Sequence, residues 1–394
     1  MSPGPKLAER IGRMTPSATI AVKVVADRLK AQGIDVIDFG PGEPDFNAPE
    51  NVKAAAHSAI DENLSHYLGP RGLVDLRKAI AAGYERSTGA GYALEEIIVG
   101  CGAKSVLYLA SMALLSPGEE VIIPSPYWVS FPEQVKLAEG VPVILPAGEV
   151  DGFVPLASGA EALVTPRTRA IILCSPSNPT GSVIPQEEVD RFVDLAIRRD
   201  LVLVFDETYE HFLYEGRTHA TPLRSPGAPR ERLVMVSSVS KTYAMTGYRV
   251  GYALGPKQLV DAMAALQSHD ATHATAIAQA AAAEALRGPQ ASVEAMLAEY
   301  AKRRRIIVDG LRAVDGIECL DPEGAFYVFP NVTGLYAKFG VSDSEGVAKV
   351  LLEEARVATV PGEAFGAPGY LRFSYALAVD RIREGLGRIR QAAG

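Results

Sequence analysis

SSVSKTYAMTGYRVG, residues Ser237 to Gly251, is the segment on which the reading of this 394-residue chain turns. It follows an apolar run, Leu233–Val236, of strand length. It then supplies two hydroxyls (Ser238, Ser240), one lysine (Lys241), a glycine break (Gly247) and an arginine, Arg249. A lysine at a strand end is ordinarily solvated, because lysine is seldom fully buried. Crowding it between hydroxyls and an arginine changes that expectation. The nearby cation disfavours its charged form, so the amine can act as a nucleophile. Arginine with serine is also a pair that suits a phosphate group.

Working outward, the same strand-then-loop pattern recurs upstream. Glu96–Val99 reads as a strand running into Gly100-Cys101-Gly102-Ala103-Lys104, where a helix begins. A glycine turn between strand and helix presents free amides at the positive end of the helix dipole, which is an anion site. Strand Val121–Ile123 leads to Tyr127 and Trp128, and strand Ala170–Cys174 leads to Asn178 within SPSNPTG. A helix follows from Pro185, with Glu187 and Glu188 in its first turn. Its expected buried stripe is Val189, Phe192, Val193, Ala196 and Ile197. Leu201–Phe205 is apolar throughout, as a strand covered on both faces should be, and it ends at Asp206 and Tyr209. Alternating strands and helices predict an α/β fold with a mostly parallel, doubly wound sheet. The polar residues fall just past the carboxyl ends of the strands, the edge where such sheets bind ligands.

The flanks read differently. Residues 1–35 are expected to be helical, with Ile20, Val24, Val25 and Leu29 as the buried stripe and Gly33 as the stop. Val36–Phe39 is a short strand candidate, and Gly40–Phe46 must be a loop. Ser65–Gly72 is a second glycine-rich loop carrying Tyr67 and Arg71. Beyond about Ala285 come a long helix (291–313), paired strands (318–320 and 325–329), a helix (344–355), a strand (370–375) and a closing helix from Val379. This is a separate α+β unit. The expected division is a large domain over 48–285, with 1–47 and 286–394 forming a smaller one.

Composition narrows the function. The formal charge of −8 argues against a nucleic-acid partner. The one dense basic run, Lys302 to Arg305, reads as a solvated helix face. The three cysteines lack metal-ligand spacing, which suggests a reduced compartment and no metal centre. The first residues carry charges where a secretory leader needs an apolar core. The alanine-rich run from Ala274 to Leu286 is too short to span a bilayer. A cytoplasmic protein is expected, with neither a nucleic-acid nor a membrane partner.

One cofactor would use the whole strand-end set. Pyridoxal 5'-phosphate needs a lysine for its aldehyde, and Lys241 is the candidate. Its ring nitrogen must stay protonated, and Asp206 after an apolar strand could pair with it at an offset cost. Tyr209 and Asn178 can bond the phenolic oxygen. Arg249, Ser238 and the amides of Gly102 and Ala103 can take the phosphate. Trp128, the only tryptophan, can stack on the ring.

With those residues in place, the chain resembles the class I, fold-type I pyridoxal-phosphate aminotransferases, in the branch that includes bacterial aspartate aminotransferases. The pieces are GEPDF (42–46), Tyr67 with Gly72, Gly102-Ala103-Lys104, SPYWVSFP (125–132), SPSNPTG (175–181), DETYEHFLYEG (206–216), SKTYAMTGYRVGY (240–252), GAFYVF (324–329), VPGEAFG (360–366) and LRFSYA (371–376). They run in the family's order over nearly the whole chain. The resemblance implies amino transfer from an L-amino acid, aspartate-like or aromatic, to a 2-oxo acid such as 2-oxoglutarate. It implies that Lys241 binds the cofactor and moves the substrate proton, with Asp206 and Tyr209 in support, and that Lys104 belongs to the cofactor site. Arg372 would clamp the substrate α-carboxylate, with Trp128, Asn178 and the Gly42 amide beside it. Tyr67 would reach the phosphate of a neighbouring subunit, which implies a homodimer. A small domain would close over the substrate.

Two stretches depart from that family. Thr15, in Met14–Thr19, stands where a base often reaches a distal carboxylate, and Gln267–His273 differs from the hydroxyl-rich family version. Arg13, Lys23 and Arg71 are candidate replacements for the missing base. A carbon–sulfur β-lyase on the same scaffold is the main alternative. A nicotinamide dehydrogenase fits poorly, because Ser105 stands at the third glycine position and Glu119-Glu120 precede a strand. A regulator would need a DNA-binding segment before residue 36, where the sequence leaves no room for one.

Overall fold

The computed structural model describes residues 5–16 and 18–394, so the Ser17 part of the Met14–Thr19 stretch lies outside it. Its strands, in chain order, are β1 (Ile37–Asp38), β2 (Ile97–Gly100), β3 (Glu120–Ser125), β4 (Val141–Pro146), β5 (Thr168–Cys174) and β6 (Val202–Asp206). They continue with β7 (Leu233–Ser238), β8 (Gly251–Leu254), β9 (Tyr327–Val328), β10 (Val357–Ala358), β11 (Val360–Pro361) and β12 (Leu371–Ser374). Seven make the main sheet, in the order β2-β8-β7-β6-β5-β3-β4. All neighbours are parallel except β8, which runs against both β2 and β7.

The strand sequences explain their own burial. In β2, Ile97 and Val99 join one core cluster while Ile98 joins another. The alternation repeats in β5 (Ile171 and Leu173 against Ala170 and Ile172) and in β7 (Leu233 and Met235 against Val234 and Val236). Side chains alternate along a strand, so two covered faces require an uninterrupted apolar run. The helices that cover them include Ala103–Leu114, Gln186–Arg198 and Lys257–His269. A third cluster holds Ile37, Phe39, Phe212, Tyr300, Phe326, Phe373 and Ile389, so β1 packs with the C-terminal part of the chain. The pairing of β1 with β10 makes the same connection through the backbone.

Several details differ from the sequence reading. In helix Gln186–Arg198, Ile197 is 45% exposed and Leu195 is buried instead. The stripe of helix Ala18–Ala31 is rotated: Ile20 and Val24 are exposed, while Val22, Ala26 and Leu29 pack inward. Residues 318–320 form no strand; Glu318 makes a single bridge to Asn331, and β9 pairs with β12. Only half of the basic run is solvated: Lys302 and Arg305 are exposed. Arg303 and Arg304 are buried; Arg303 pairs with Asp45 and Glu299, and Arg304 with Glu215. Burying a charge is costly without a partner; Glu299 lies one helical turn away, but Asp45 and Glu215 lie far off in sequence.

Candidate active site

The carboxyl ends of β2, β3, β5, β6 and β7 share one edge of the sheet. Because β8 runs the other way, its first residue, Gly251, lies opposite both Gly100 and Ser238. Arg249, two residues earlier, therefore arrives at that same edge. Gly102 begins helix Ala103–Leu114 at φ +88°, and a Cβ there would stand 2.5 Å from the Arg249 guanidinium. Glycine at this turn lets the cation sit against the amide end of the helix.

The edge opens into a cavity of about 260 Å³. Gly42, Ala103, Lys104, Trp128, Asn178, Asp206, Tyr209, Ser238, Lys241, Arg249 and Arg372 all line it. Two sequence-expected residues do not. Gly102 stands behind Arg249, and Tyr67 lies away from the cavity with 88% of its surface exposed.

Lys241 sits on a single helical turn, Val239–Thr242, whose start is capped by Ser238: the Ser240 N–H donates to Ser238 Oγ at 3.3 Å. Its amine donates to the Gly42 carbonyl. Burial pushes the Lys241 amine down to about 8, aided by Arg249, Arg372 and Lys104 and opposed by Glu43. Burial likewise pushes the Asp206 carboxyl up to about 6, against the Thr208 N–H that donates to Asp206 Oδ1 at 3.1 Å. Asp206 makes no ion pair within 4 Å among the described residues.

Arg372 lies within β12 and is only 2% exposed. Its guanidinium donates to Asn178 Oδ1 at 2.9 Å and to the Gly40 carbonyl at 2.6 Å. It lies over the rings of Tyr327 and Phe365, at 4.7 and 5.1 Å. Its Nε is buried without a partner, and no carboxylate pairs with it among the described residues. Burial lowers its pKa, a sign that its charge wants an anion. Tyr327 was missed by the sequence reading. Its hydroxyl meets that of Tyr209 at 2.7 Å, and a Cβ on Gly42 would come within 2.5 Å of it. The GAFYVF stretch showed the aromatic, but only the pairing of Tyr327 with Ser374 brings it under Arg372.

Four cations (Lys104, Lys241, Arg249, Arg372) and one carboxylate (Asp206) line the cavity. Such a site favours anionic ligands. The candidate replacements for a distal base lie elsewhere. Arg71 pairs with Asp261, Lys23 pairs with Asp27 at 3.1 Å, and Arg13 is exposed. Thr15 borders an adjoining recess of about 660 Å³, and its N–H donates to Glu133 Oε2 at 2.9 Å.

The residues fit pyridoxal 5'-phosphate: a buried amine of lowered pKa, a buried acid without a cation, an arginine beside free helix amides, and a buried guanidinium with an orphaned N–H. The pattern of the family described as aminotransferase class I and II matches residues 34–389. The chain belongs to that family.

This aminotransferase is 43% identical over 386 residues to an aspartate aminotransferase of Geobacillus stearothermophilus, covering 98% of both chains. It is 42% identical over 390 residues to an aspartate/prephenate aminotransferase of Cereibacter sphaeroides, again over 98% of both. Its fold superposes on the Thermus thermophilus aspartate aminotransferase bound to maleate with a TM-score of 0.94, at 41% identity, covering 99% of this chain and all of that one. The aminotransferase is thus a pyridoxal-phosphate transferase of fold type I, and these relatives lend no support to the lyase reading. Among its described residues, no helix is long and apolar enough to cross a membrane.

Proposed function

We propose that this aminotransferase takes the amino group of an L-dicarboxylic amino acid, aspartate foremost, and delivers it to a 2-oxo acid such as 2-oxoglutarate. The observation that carries this reading is the cation left over once Lys241, Arg249 and Arg372 have their roles. Lys104 borders both the cavity and the recess, stands 4.9 Å from the Trp128 ring, and has no acidic partner among the described residues. Arg372 suits the α-carboxylate, which leaves Lys104 for a carboxylate on the side chain. Sequence reading grouped Lys104 with the cofactor; its position between the two spaces favours the substrate. The maleate in the Thermus thermophilus structure is a dicarboxylate, and the named relatives act on aspartate.

The roles follow from chemistry. The cofactor supplies an electron sink for charge developing at the substrate α-carbon. Lys241, low in pKa, takes the α-proton and returns it on the other side of the exchange. Asp206 would keep a proton on the pyridine nitrogen. Tyr209 and Asn178 would hold the phenolic oxygen. Arg249, Ser238 and the Gly102 and Ala103 amides would hold the phosphate, and Trp128 would cover the ring. Arg372 orients the α-carboxylate through two parallel N–H donors, with Asn178 and the Gly42 amide beside it.

We further infer a homodimer in which Tyr67 reaches the phosphate of the second copy; its exposure on an ordered loop supports this. Residues 1–47 and 286–394 would move as a small domain against 48–285, as the clustering of Ile37 and Phe39 with C-terminal residues suggests. A cytoplasmic location suits the three free cysteines. Aromatic donors form a second reading, favoured by Tyr108 and Tyr127 in the recess. Single-turnover absorbance spectra with aspartate, glutamate, alanine and phenylalanine test the choice. Aspartate should react fastest, and Lys104→Met should remove its lead over alanine. A wild-type protein that prefers alanine or phenylalanine would overturn the proposal.

A further inference from the structure

The loop around Tyr67 combines two properties that rarely go together. Its aromatic side chain is almost wholly exposed, yet its backbone is held at several points by side chains from elsewhere. Gln267 Nε2 donates to the Pro70 carbonyl at 2.5 Å and to the Val99 carbonyl at 2.9 Å. The Leu73 N–H donates to Gln279 Oε1 at 2.7 Å. The Leu68 N–H, next to Tyr67, donates to His273 Nε2 at 3.1 Å. The His273 ring also meets the Tyr67 ring edge-on, with centroids 6.1 Å apart.

The imidazole has one arrangement that satisfies both its nitrogens. Nε2 accepts from Leu68, so the proton sits on Nδ1, which donates to the Ala274 carbonyl at 2.7 Å. The segment that carries it is tight. Thr272 adopts φ +62°, its N–H donates to the Gln267 carbonyl at 2.8 Å, and the His273 N–H donates to the Ala271 carbonyl at 2.7 Å. This bridge between helices Lys257–His269 and Ala276–Arg287 therefore has little freedom.

We propose that His273 is a positioning residue for Tyr67: by accepting the Leu68 N–H it fixes the backbone from which Tyr67 projects toward the phosphate of a second copy. The proposal rests on the reading of Tyr67 given above. An exposed aromatic on a free loop would spend most of its time elsewhere, and ordering it on binding would cost affinity. Fixing the loop beforehand removes much of that cost. Gln267 and Gln279 hold the loop's far half; among the described residues, only the His273 side chain bonds the backbone beside the tyrosine itself.

The test uses the full-length protein and pyridoxal 5'-phosphate. His273→Phe keeps a ring and removes the acceptor. His273→Gln restores a carbonyl acceptor. The dissociation constant of the cofactor is measured for wild type, both variants, Tyr67→Phe and the double variant Tyr67→Phe/His273→Phe, alongside hydrogen exchange of the peptide containing Leu68. We expect His273→Phe to weaken binding by about tenfold, the loss typical of one hydrogen bond near a charged ligand. His273→Gln should recover most of it, and Leu68 exchange should quicken only in the Phe variant. In the Tyr67→Phe background, His273→Phe should add little. If Tyr67→Phe leaves the dissociation constant unchanged, the cross-subunit reading of Tyr67 fails. If Tyr67→Phe weakens binding but His273→Phe does not, or if the two losses simply add, the positioning role of His273 fails. Should His273→Phe fail to assemble, His273→Ala removes the acceptor in its place: quickened Leu68 exchange with weakened binding supports the role, and unchanged exchange or unchanged binding overturns it.

Discussion

Replacing Asp206 by asparagine should have opposite effects with and without cofactor. The substitution removes the buried charge and keeps the shape, and the amide oxygen can still accept the Thr208 N–H. In the folded, cofactor-free protein the carboxyl titrates at about 6, against 3.8 ordinarily, because burial disfavours the charged form. The folded state thus binds the proton more tightly than the unfolded state between those values, and unfolding free energy falls as pH rises through that window. The gap corresponds to about 3 kcal/mol of penalty at pH 8 and about half of that at pH 5. Asp206→Asn should therefore raise the thermal midpoint of the cofactor-free protein by a few degrees at pH 8, and by clearly less at pH 5. Cofactor binding should move the other way. Losing a buried, charge-paired partner for the ring nitrogen should weaken pyridoxal 5'-phosphate binding on the order of a hundredfold. Scanning calorimetry at both pH values and a cofactor titration check the two halves. A lower midpoint at pH 8, or an equal gain at both pH values, would show that Asp206 is not an uncompensated buried acid.

Other outcomes follow from the same geometry. The rate at which the cofactor-free protein forms its covalent link to pyridoxal 5'-phosphate should rise with pH around about 8, tracking the lowered Lys241 amine; a midpoint near the ordinary lysine range would refute that lowering. Borohydride reduction and peptide mapping should label Lys241, and label on another lysine would remove the central assignment. Arg372→Ala should lower kcat/KM for every amino donor alike, by on the order of 10²–10⁴-fold for two charge-assisted bonds; selective loss of one donor would contradict its role at the shared carboxylate. Gly102→Ala forces a side chain at φ +88° against Arg249 and should cost about 1–3 kcal/mol of stability as well as cofactor affinity. An unchanged melting curve with unchanged affinity would show that the turn yields.

The strand runs and the residues following them were legible because their signals are local. A strand covered on both faces must be apolar along its length, and a glycine turn must precede a helix that approaches an anion. Lys241, Asp206, Asn178 and Trp128 were singled out from those positions, and all four line the cavity. The misreadings share a different cause. Periodicity could not tell which face of helix Ala18–Ala31 would find a partner, so its stripe was rotated. Arg303 and Arg304 looked like surface charge because Asp45 and Glu215, which make their burial tolerable, lie far away in sequence. Tyr327 was visible as an aromatic, but its place under Arg372 depends on the register of β9 against β12.

The amino-acid order by itself determined the alternation of strands and helices, the sheet edge at which the cavity opens, and the lysine, the acid and Arg249 that line it. Those are consequences of burial and dipoles acting over a few residues. Tertiary structure alone decided that Arg372 is buried with an unsatisfied N–H, that Lys104 borders two adjoining spaces, and that His273 holds the loop of Tyr67. Each depends on groups brought together from distant parts of the chain, and the strength of an electrostatic or hydrogen-bonded contact is set by separation in space and by exclusion of water.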